Sequence, residues 1–317
     1  MSGTVLALSG GIGGAKLALG LAQIIPGEAL TVLANTGDDF EHLGLAISPD
    51  IDTLTYALAG LDNPITGWGR RDESWSFMTA LRELGGEDWF QLGDRDLATH
   101  VERTRRLRAG ETLSAVTEDF RRRLGIGARL LPMSDQPVRT KVLTPEGWLD
   151  FQHWFVRLRC APAVRGLEFA GAESARPLPA ILDALRDPAL RAVVICPSNP
   201  LISIDPILAV PGLRHVLREC RAPVVAVSPI IGGRAVKGPT ATMLADLGTP
   251  PAADAVARHY GDLLDGYVLD AADAALAPGI AARCAVAPTL MTDLASKAAL
   301  ARVVLDLADR IAAERRA

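Results

Sequence analysis

The 317-residue sequence lacks the features of several common protein classes. Its four cysteines, Cys160, Cys196, Cys220 and Cys284, have no paired spacing, which argues against a zinc site or disulfide frame and predicts reduced, buried thiols. The five histidines are equally dispersed, so carboxylates must hold any bound metal. No apolar run approaches the ~20 residues of a spanning helix, so no membrane association is expected. No basic leader precedes a cleavable apolar stretch; the opening run reads as a strand and the protein as cytoplasmic. A formal charge of −4 lacks the basic excess that bulk nucleic-acid binding requires. The local arginine runs, Arg103 with Arg105, Arg106 and Arg108, and Arg121 to Arg123, read as solvated helix faces. Internal repeats and low-complexity stretches are absent.

What is present is apolar and regular. Hydrophobic residues make up 49%, enough for a substantial core. Near-continuous apolar runs at 4–8, 31–34, 192–196, 224–228 and 267–269 alternate with helical patterns at 14–24, 212–220, 238–247 and 252–259. That alternation predicts a parallel sheet covered on both faces. A last amphipathic helix over about 293–313 is expected to pack on the sheet or on a partner subunit. The middle reads differently, with helices over 70–84, 96–108 and 112–124. A hairpin follows, Arg139–Thr144 and Trp148–Val156 around a Pro145–Gly147 turn. The expected fold is α/β: a Rossmann-like, doubly wound, mainly parallel sheet with a largely helical insertion carrying a small β-hairpin. Residues 1–61 and 189–317 would form the core, and 62–188 the inserted subdomain forming the other wall of a cleft.

The first strand breaks into Ser9-Gly10-Gly11-Ile12-Gly13-Gly14-Ala15-Lys16 at a helix start. Backbone N–H groups and the positive end of a helix suit phosphate at such a turn. It fits neither the P-loop, since Ala15 precedes Lys16 and Leu17 follows, nor G-x-G-x-x-G, which would need glycine in place of Lys16. The glycines serve either phosphate or close packing. Lys16 is a point charge for phosphate or an ordinary solvated lysine.

Acidic groups follow. Asn35-Thr36-Gly37-Asp38-Asp39 closes the second strand, where Asp38 suits a ribose hydroxyl and the Asp38–Asp39 pair a hard cation. Ser48-Pro49-Asp50-Ile51-Asp52-Thr53 is a good helix start whose acids complement the helix dipole. Gly93-Asp94-Arg95-Asp96 is a third acidic group before a helix. Together with the glycine turn, these acids suggest one cleft holding magnesium against a diphosphate. Ser198 and Asn199 follow one late strand; Ser228 and Gly232 follow another, leading to Lys237 before Pro239. Hydroxyls, amide and lysine there suit nucleotide groups or simply make connections. Pro132-Met133-Ser134-Asp135 is a cleft loop or a turn. Phe151, His153 and Phe155 would share one strand face, packing a core or flooring a pocket.

These motifs occur in order with Leu92-Gly93-Asp94-Arg95-Asp96, Phe151-Gln152, Pro197 to Pro200 and Ser228 to Gly232. In that arrangement the sequence resembles the 2-phospho-L-lactate transferase (CofD) family of deazaflavin coenzyme F420 biosynthesis. The resemblance implies transfer of a phospho-carboxylic acid unit from a guanosine diphosphate-linked donor to FO (7,8-didemethyl-8-hydroxy-5-deazariboflavin). GMP is released and (dehydro) coenzyme F420-0 formed. The acid is 2-phospholactate, phosphoenolpyruvate or phosphoglycerate. Mg2+ and a homodimer are implied as well. Mapped onto this chain, Asp52 corresponds to the acceptor-binding aspartate; with Asp50 it is the expected catalytic pair. Asp38, Asp39, Asp50 and Asp52 are the expected metal ligands. Gly10, Gly11, Gly13, Gly14, Lys16, Asn35, Ser198, Asn199, Ser228, Gly232 and Lys237 are the expected substrate contacts. Gln91 stands where many members carry a second acceptor-binding lysine, and Ile12 where threonine is frequent.

Two other classes compete. A non-catalytic sugar-nucleotide-binding regulator of the same superfamily would share the glycine turn but need no acceptor pocket. An NAD-dependent dehydrogenase would explain strand, glycines and later acid, but the broken fingerprint counts against it.

Overall fold

A computed structural model describes residues 3–316. Its centre is a seven-stranded sheet: β1 (Thr4–Ser9), β2 (Leu30–Ala34), β3 (Arg129–Pro132), β4 (Leu190–Ile195), β5 (Val224–Val227), β6 (Gly266–Leu269) and β7 (Arg283–Val286). The spatial order is β7-β6-β5-β4-β1-β2-β3, with every neighbouring pair parallel. The order reverses direction between β1 and β4. Open α/β sheets bind ligands at such a switch point, outside the carboxyl ends of the strands.

Alternation along the strands explains the two covered faces. Leu6, Leu8, Leu33, Leu131, Val193 and Ile195 belong to one core cluster. Val5, Ala7, Val32, Leu130, Ala192 and Val194 belong to the other. The second cluster includes Leu17 and Leu21 of helix α1 (Gly11–Ala22) and Val304, Leu307 and Ile311 of the C-terminal helix Leu294–Glu314. The long C-terminal helix therefore packs on the sheet. Asp293 caps its start by accepting from the Ser296 N–H at 2.7 Å.

The stretch 62–188 supplies helices α3 (Ser76–Glu83), α4 (Asp94–Arg108) and α5 (Leu113–Arg123), and also strand β3. Helix α2 (Pro49–Leu58) precedes it, with Pro49 in its first turn, where a missing N–H costs nothing. Residues Arg139–Thr144, Gly147–Asp150 and Gly166–Ala170 form a separate three-stranded antiparallel sheet. The expected hairpin is present, but its second strand ends at Asp150 instead of reaching Val156. From Phe151 the chain turns helical, so Phe151, His153 and Phe155 do not share a strand face. Helical spacing places Phe151 against Phe155, their rings stacked at 5.3 Å. Trp154, fully buried, anchors this turn and donates from its indole N–H to the Pro162 carbonyl at 2.8 Å.

Candidate active site

A cleft of about 490 Å³ opens at the switch point. Helix α1 begins inside the glycine turn, three residues before the expected position. Gly10 is its extended cap, and its N–H donates to Ser198 Oγ at 3.1 Å. Gly11 has a φ of +66°, and its N–H donates to Asp50 Oδ1 at 2.5 Å. The first turn leaves Ile12 and Gly13 N–H groups without intrahelical acceptors, and both residues line the cleft. A side chain on Gly13 would meet the Pro197 carbonyl oxygen at 2.3 Å. The turn is thus both tightly packed and open to an anion.

Three carboxylates gather beside it. Asn35 Nδ2 donates to Asp50 Oδ2 at 2.9 Å and to Asp38 Oδ1 at 3.3 Å. Asn35 is itself held by the Gly37 N–H donating to its Oδ1 at 2.8 Å. Burial raises the Asp38 carboxyl well above the usual range, and the charges of Asp50 and Asp39 push it further. Burial lifts Asp50 to about 6 despite hydrogen bonds from Asn35 and Gly11. It lifts Asp39 to about 7, against the opposing pull of Arg139. None of the three forms an ion pair among the described residues. Asp39 accepts from Ser48 Oγ at 2.8 Å, and its Oδ1 has no partner, but it does not line the cleft.

Asp52, one helical half-turn from Asp50, is differently placed. Arg103 Nη1 donates to Asp52 Oδ2 at 3.0 Å, and Nη2 engages Oδ1. Arg103 is 1% exposed, which corrects the expectation that its arginine run is a solvated face. The run is divided: Arg105 and Arg108 lie outward, while Arg103 points through the helix's buried side with His100 and Thr104. That i, i+3, i+4 spacing defines one helix face. His100 Nδ1 lies 3.6 Å from Asp52 Oδ2, and its Nε2 lies 3.2 Å from Asp96 Oδ2. Tyr56 donates its hydroxyl to Asp96 Oδ1 at 2.5 Å. Ligand atoms of Asp52, Asp96 and His100 lie within 4.8 Å of one another. With the Arg103 guanidinium on Asp52, a divalent cation there would face a fixed positive charge.

The far wall is aromatic. Trp89, Phe90, Phe151 and Phe155 line it, and Trp89 stacks on His153 at 5.4 Å. Gln152 ties this wall to the acidic turn by donating to the Asp38 carbonyl at 3.3 Å.

A profile of the family described as 2-phospho-L-lactate transferase CofD matches residues 5–284. The chain belongs to this family. Among its CofD-family relatives, a phosphoenolpyruvate transferase of Streptomyces griseus is 44% identical, covering 98% of this chain and 99% of its own. A phosphoenolpyruvate transferase of Kitasatospora aureofaciens is 45% identical over 97% and 98%. Among solved structures, a UPF0052-family protein of Bacillus halodurans superimposes with a TM-score of 0.65 at 12% identity, covering 96% of this chain and 99% of that one. That likeness is one of fold.

Within this CofD-family cleft lie Gly10, Gly11, Gly13, Lys16, Asn35, Asp38, Asp50, Asp52, Gln91, Ser198, Asn199, Ser228 and Lys237. Gly14 lies behind, where a Cβ would meet Ser9 Oγ at 2.3 Å, and the Gly232 N–H donates to Asp273 at 2.9 Å, outside the lining. Lys16 Nζ donates to the Met291 carbonyl at 2.9 Å; burial first, then Lys237 and Lys297, lowers its pKa. Ser228 and Asn199 brace their own loops, through Ile230 and Leu201 respectively. Asp94 caps helix α3 by accepting from the Ser76 and Phe77 N–H groups, away from the cleft. Tyr56, Trp89, Phe90 and His100 escaped the sequence reading, in which Arg103 counts as solvated. No helix of the described residues is long and apolar enough to cross a membrane.

Proposed function

We propose that this chain transfers a phospho-carboxylic acid unit from a guanosine diphosphate-linked donor to the deazaflavin FO, releasing GMP. The observation that carries the reading is the pairing, in one cleft, of a glycine turn and unbalanced carboxylates with an aromatic wall. Names of the relatives favour phosphoenolpyruvate as the acid.

In this reading the Ile12 and Gly13 N–H groups hold the donor's phosphates, with Lys16 and Lys237 at the rim. Asp38 and Asp50 suit Mg2+: both are oxygen donors, buried, and in no ion pair among the described residues. When bound there, the ion would supply charge neutralisation for the transferring phosphoryl group. Trp89, Phe90, Phe151 and Phe155 offer flat apolar surface to the deazaflavin ring. Asp52 accepts a hydrogen bond from the ribityl hydroxyl and aligns it. The hydroxyl oxygen bonds to the phosphorus bearing the acid unit, and the bond from that phosphorus to GMP's bridging oxygen breaks. GMP leaves with the electron pair, and the hydroxyl proton passes to solvent. Alignment and charge neutralisation carry most of such a transfer.

The proposal includes the sequence expectations of a two-part cleft, with 62–188 as the acceptor wall, and of a cytoplasmic homodimer. The homodimer rests on the family resemblance, and the location on the unpaired spacing of the cysteines. The test is incubation of purified protein with Mg2+, FO and each guanylylated donor in turn, reading GMP and product by mass. One donor giving stoichiometric GMP and F420-0-type product supports the reading. Failure of every donor, with nucleotide still bound, would favour the regulator.

A further inference from the structure

We infer that Arg103 is a positioning residue that reserves Asp52 for the acceptor hydroxyl by denying it to a cation. The inference rests on the function proposed above and deepens it.

Arg103 is buried and reaches Asp52 with two nitrogens, Nη1 at 3.0 Å from Oδ2 and Nη2 on Oδ1. A two-pronged guanidinium fixes the plane of a carboxylate as well as its charge. Arg103 Nη1 also lies 3.3 Å from the Ala46 carbonyl, so the guanidinium is anchored at the edge of the Leu45–Ile47 strand. Each Asp52 oxygen keeps a free lone-pair direction after these bonds. Asp52 lines the cleft, so an incoming hydroxyl can use it.

Without Arg103, the same place has the donor set of a metal site. Asp52, Asp96 and His100 bring three ligand atoms within 4.8 Å of one another. With Arg103 present, the charge of Asp52 is balanced and a divalent ion meets repulsion at contact distance. Asp38 and Asp50, with no ion pair, retain their demand for one. One arginine thereby sorts the cleft's acids into a cation pair and a hydroxyl acceptor.

The test compares wild type, Arg103→Met, Arg103→Lys and the double variant Arg103→Met with Asp52→Asn, all checked for folding by thermal melting. Mn2+ binding is counted by electron paramagnetic resonance on the ligand-free protein. Arg103→Met should bind one Mn2+ more than wild type, while Arg103→Lys and the charge-balanced double variant should match wild type. In steady state, Arg103→Met should lower kcat at least tenfold and raise the acceptor KM, with donor KM changed less than threefold. Arg103→Lys should restore part of kcat. An unchanged Mn2+ count in folded Arg103→Met overturns the inference, and so does an equal rise in donor and acceptor KM. Wild type failing to turn over any donor would defeat the proposed function, while the Mn2+ count would still decide the role of Arg103.

Discussion

Asp50 and Asp52 stand two residues apart on one helix, yet they face opposite electrostatic surroundings. On the sheet side, Asp50 and Asp38 share an asparagine amide and have no ion pair, and burial raises both pKa values. On the helical side, Asp52 is locked to a buried arginine. Two carboxylates forced together without an ion pair oppose ionisation, and a divalent ion or a proton would relieve them. The paired carboxylate has no such need and serves as a fixed hydrogen-bond acceptor. In the proposed reading, charge balance divides labour among acids that look equivalent in sequence.

Breaking the sheet side should cost most. Asp50→Asn or Asp38→Asn should reduce kcat for GMP release by about 100-fold or more, the scale of losing transition-state charge stabilisation. Mg2+ titrations would accompany the assay, and an unchanged Mg2+ dependence would contradict the assignment. Asp50→Asn should additionally loosen the glycine turn, because its single amide oxygen cannot accept from both the Gly11 N–H and Asn35 Nδ2 as the two carboxylate oxygens do.

Gly13→Ala tests the same turn sterically. Its new methyl would press on the Pro197 carbonyl, at 2.3 Å before relaxation. Overpacking of this kind costs about 1–3 kcal/mol, measurable by urea denaturation. Wild-type stability in the variant would mean that the turn has more slack than described.

The pH dependence sharpens the contrast between the two sides. Asp39 and Asp50 sit at about 7 and about 6 in the folded chain, above the value of 3.8 for an ordinary aspartate. The folded state therefore binds more protons than the unfolded state between those limits, and stability falls as pH rises through them. Metal-free protein should melt higher at pH 5.5 than at pH 8, and saturating Mg2+ should shrink that difference by the Asp50 share and leave the Asp39 share. A melting temperature that rises with pH in chelator would oppose this sign.

Gln91 offers the smallest effect. Its amide donates to the Asp88 carbonyl at 2.6 Å and lines the cleft without a charge partner. Gln91→Ala should raise the acceptor KM only a few-fold, about the worth of one neutral hydrogen bond. A hundredfold change would assign Gln91 a central role.

Much of this architecture is legible in the sequence where apolar runs are long. Strands β1, β2, β4, β5 and β6 are near-continuous apolar stretches, and a doubly wound sheet needs them buried on both faces. The two strands that escape, β3 and β7, are the sheet's edges. Arg129-Leu130-Leu131-Pro132 has an exposed start and a proline end, and Arg283-Cys284-Ala285-Val286 is exposed at both ends. Edge strands need less apolar surface, so their signal is weak. In the cleft, glycines after a strand and acids at a helix start announce themselves by type and position. Arg103 does not: within a run of arginines only three-dimensional burial separates the inward residue from its outward neighbours. Phe151 and Phe155 mislead for another reason. Their two-residue alternation with His153 imitates a strand, while the same residues satisfy a helical turn around Trp154.

The most direct measurement is an anomalous difference map from crystals of the wild-type protein containing Mn2+ and a guanylylated donor. A peak at coordination distance from Asp38 and Asp50, with Asp52 still on Arg103, is the predicted result. A peak among Asp52, Asp96 and His100, with Arg103 displaced, would contradict the account.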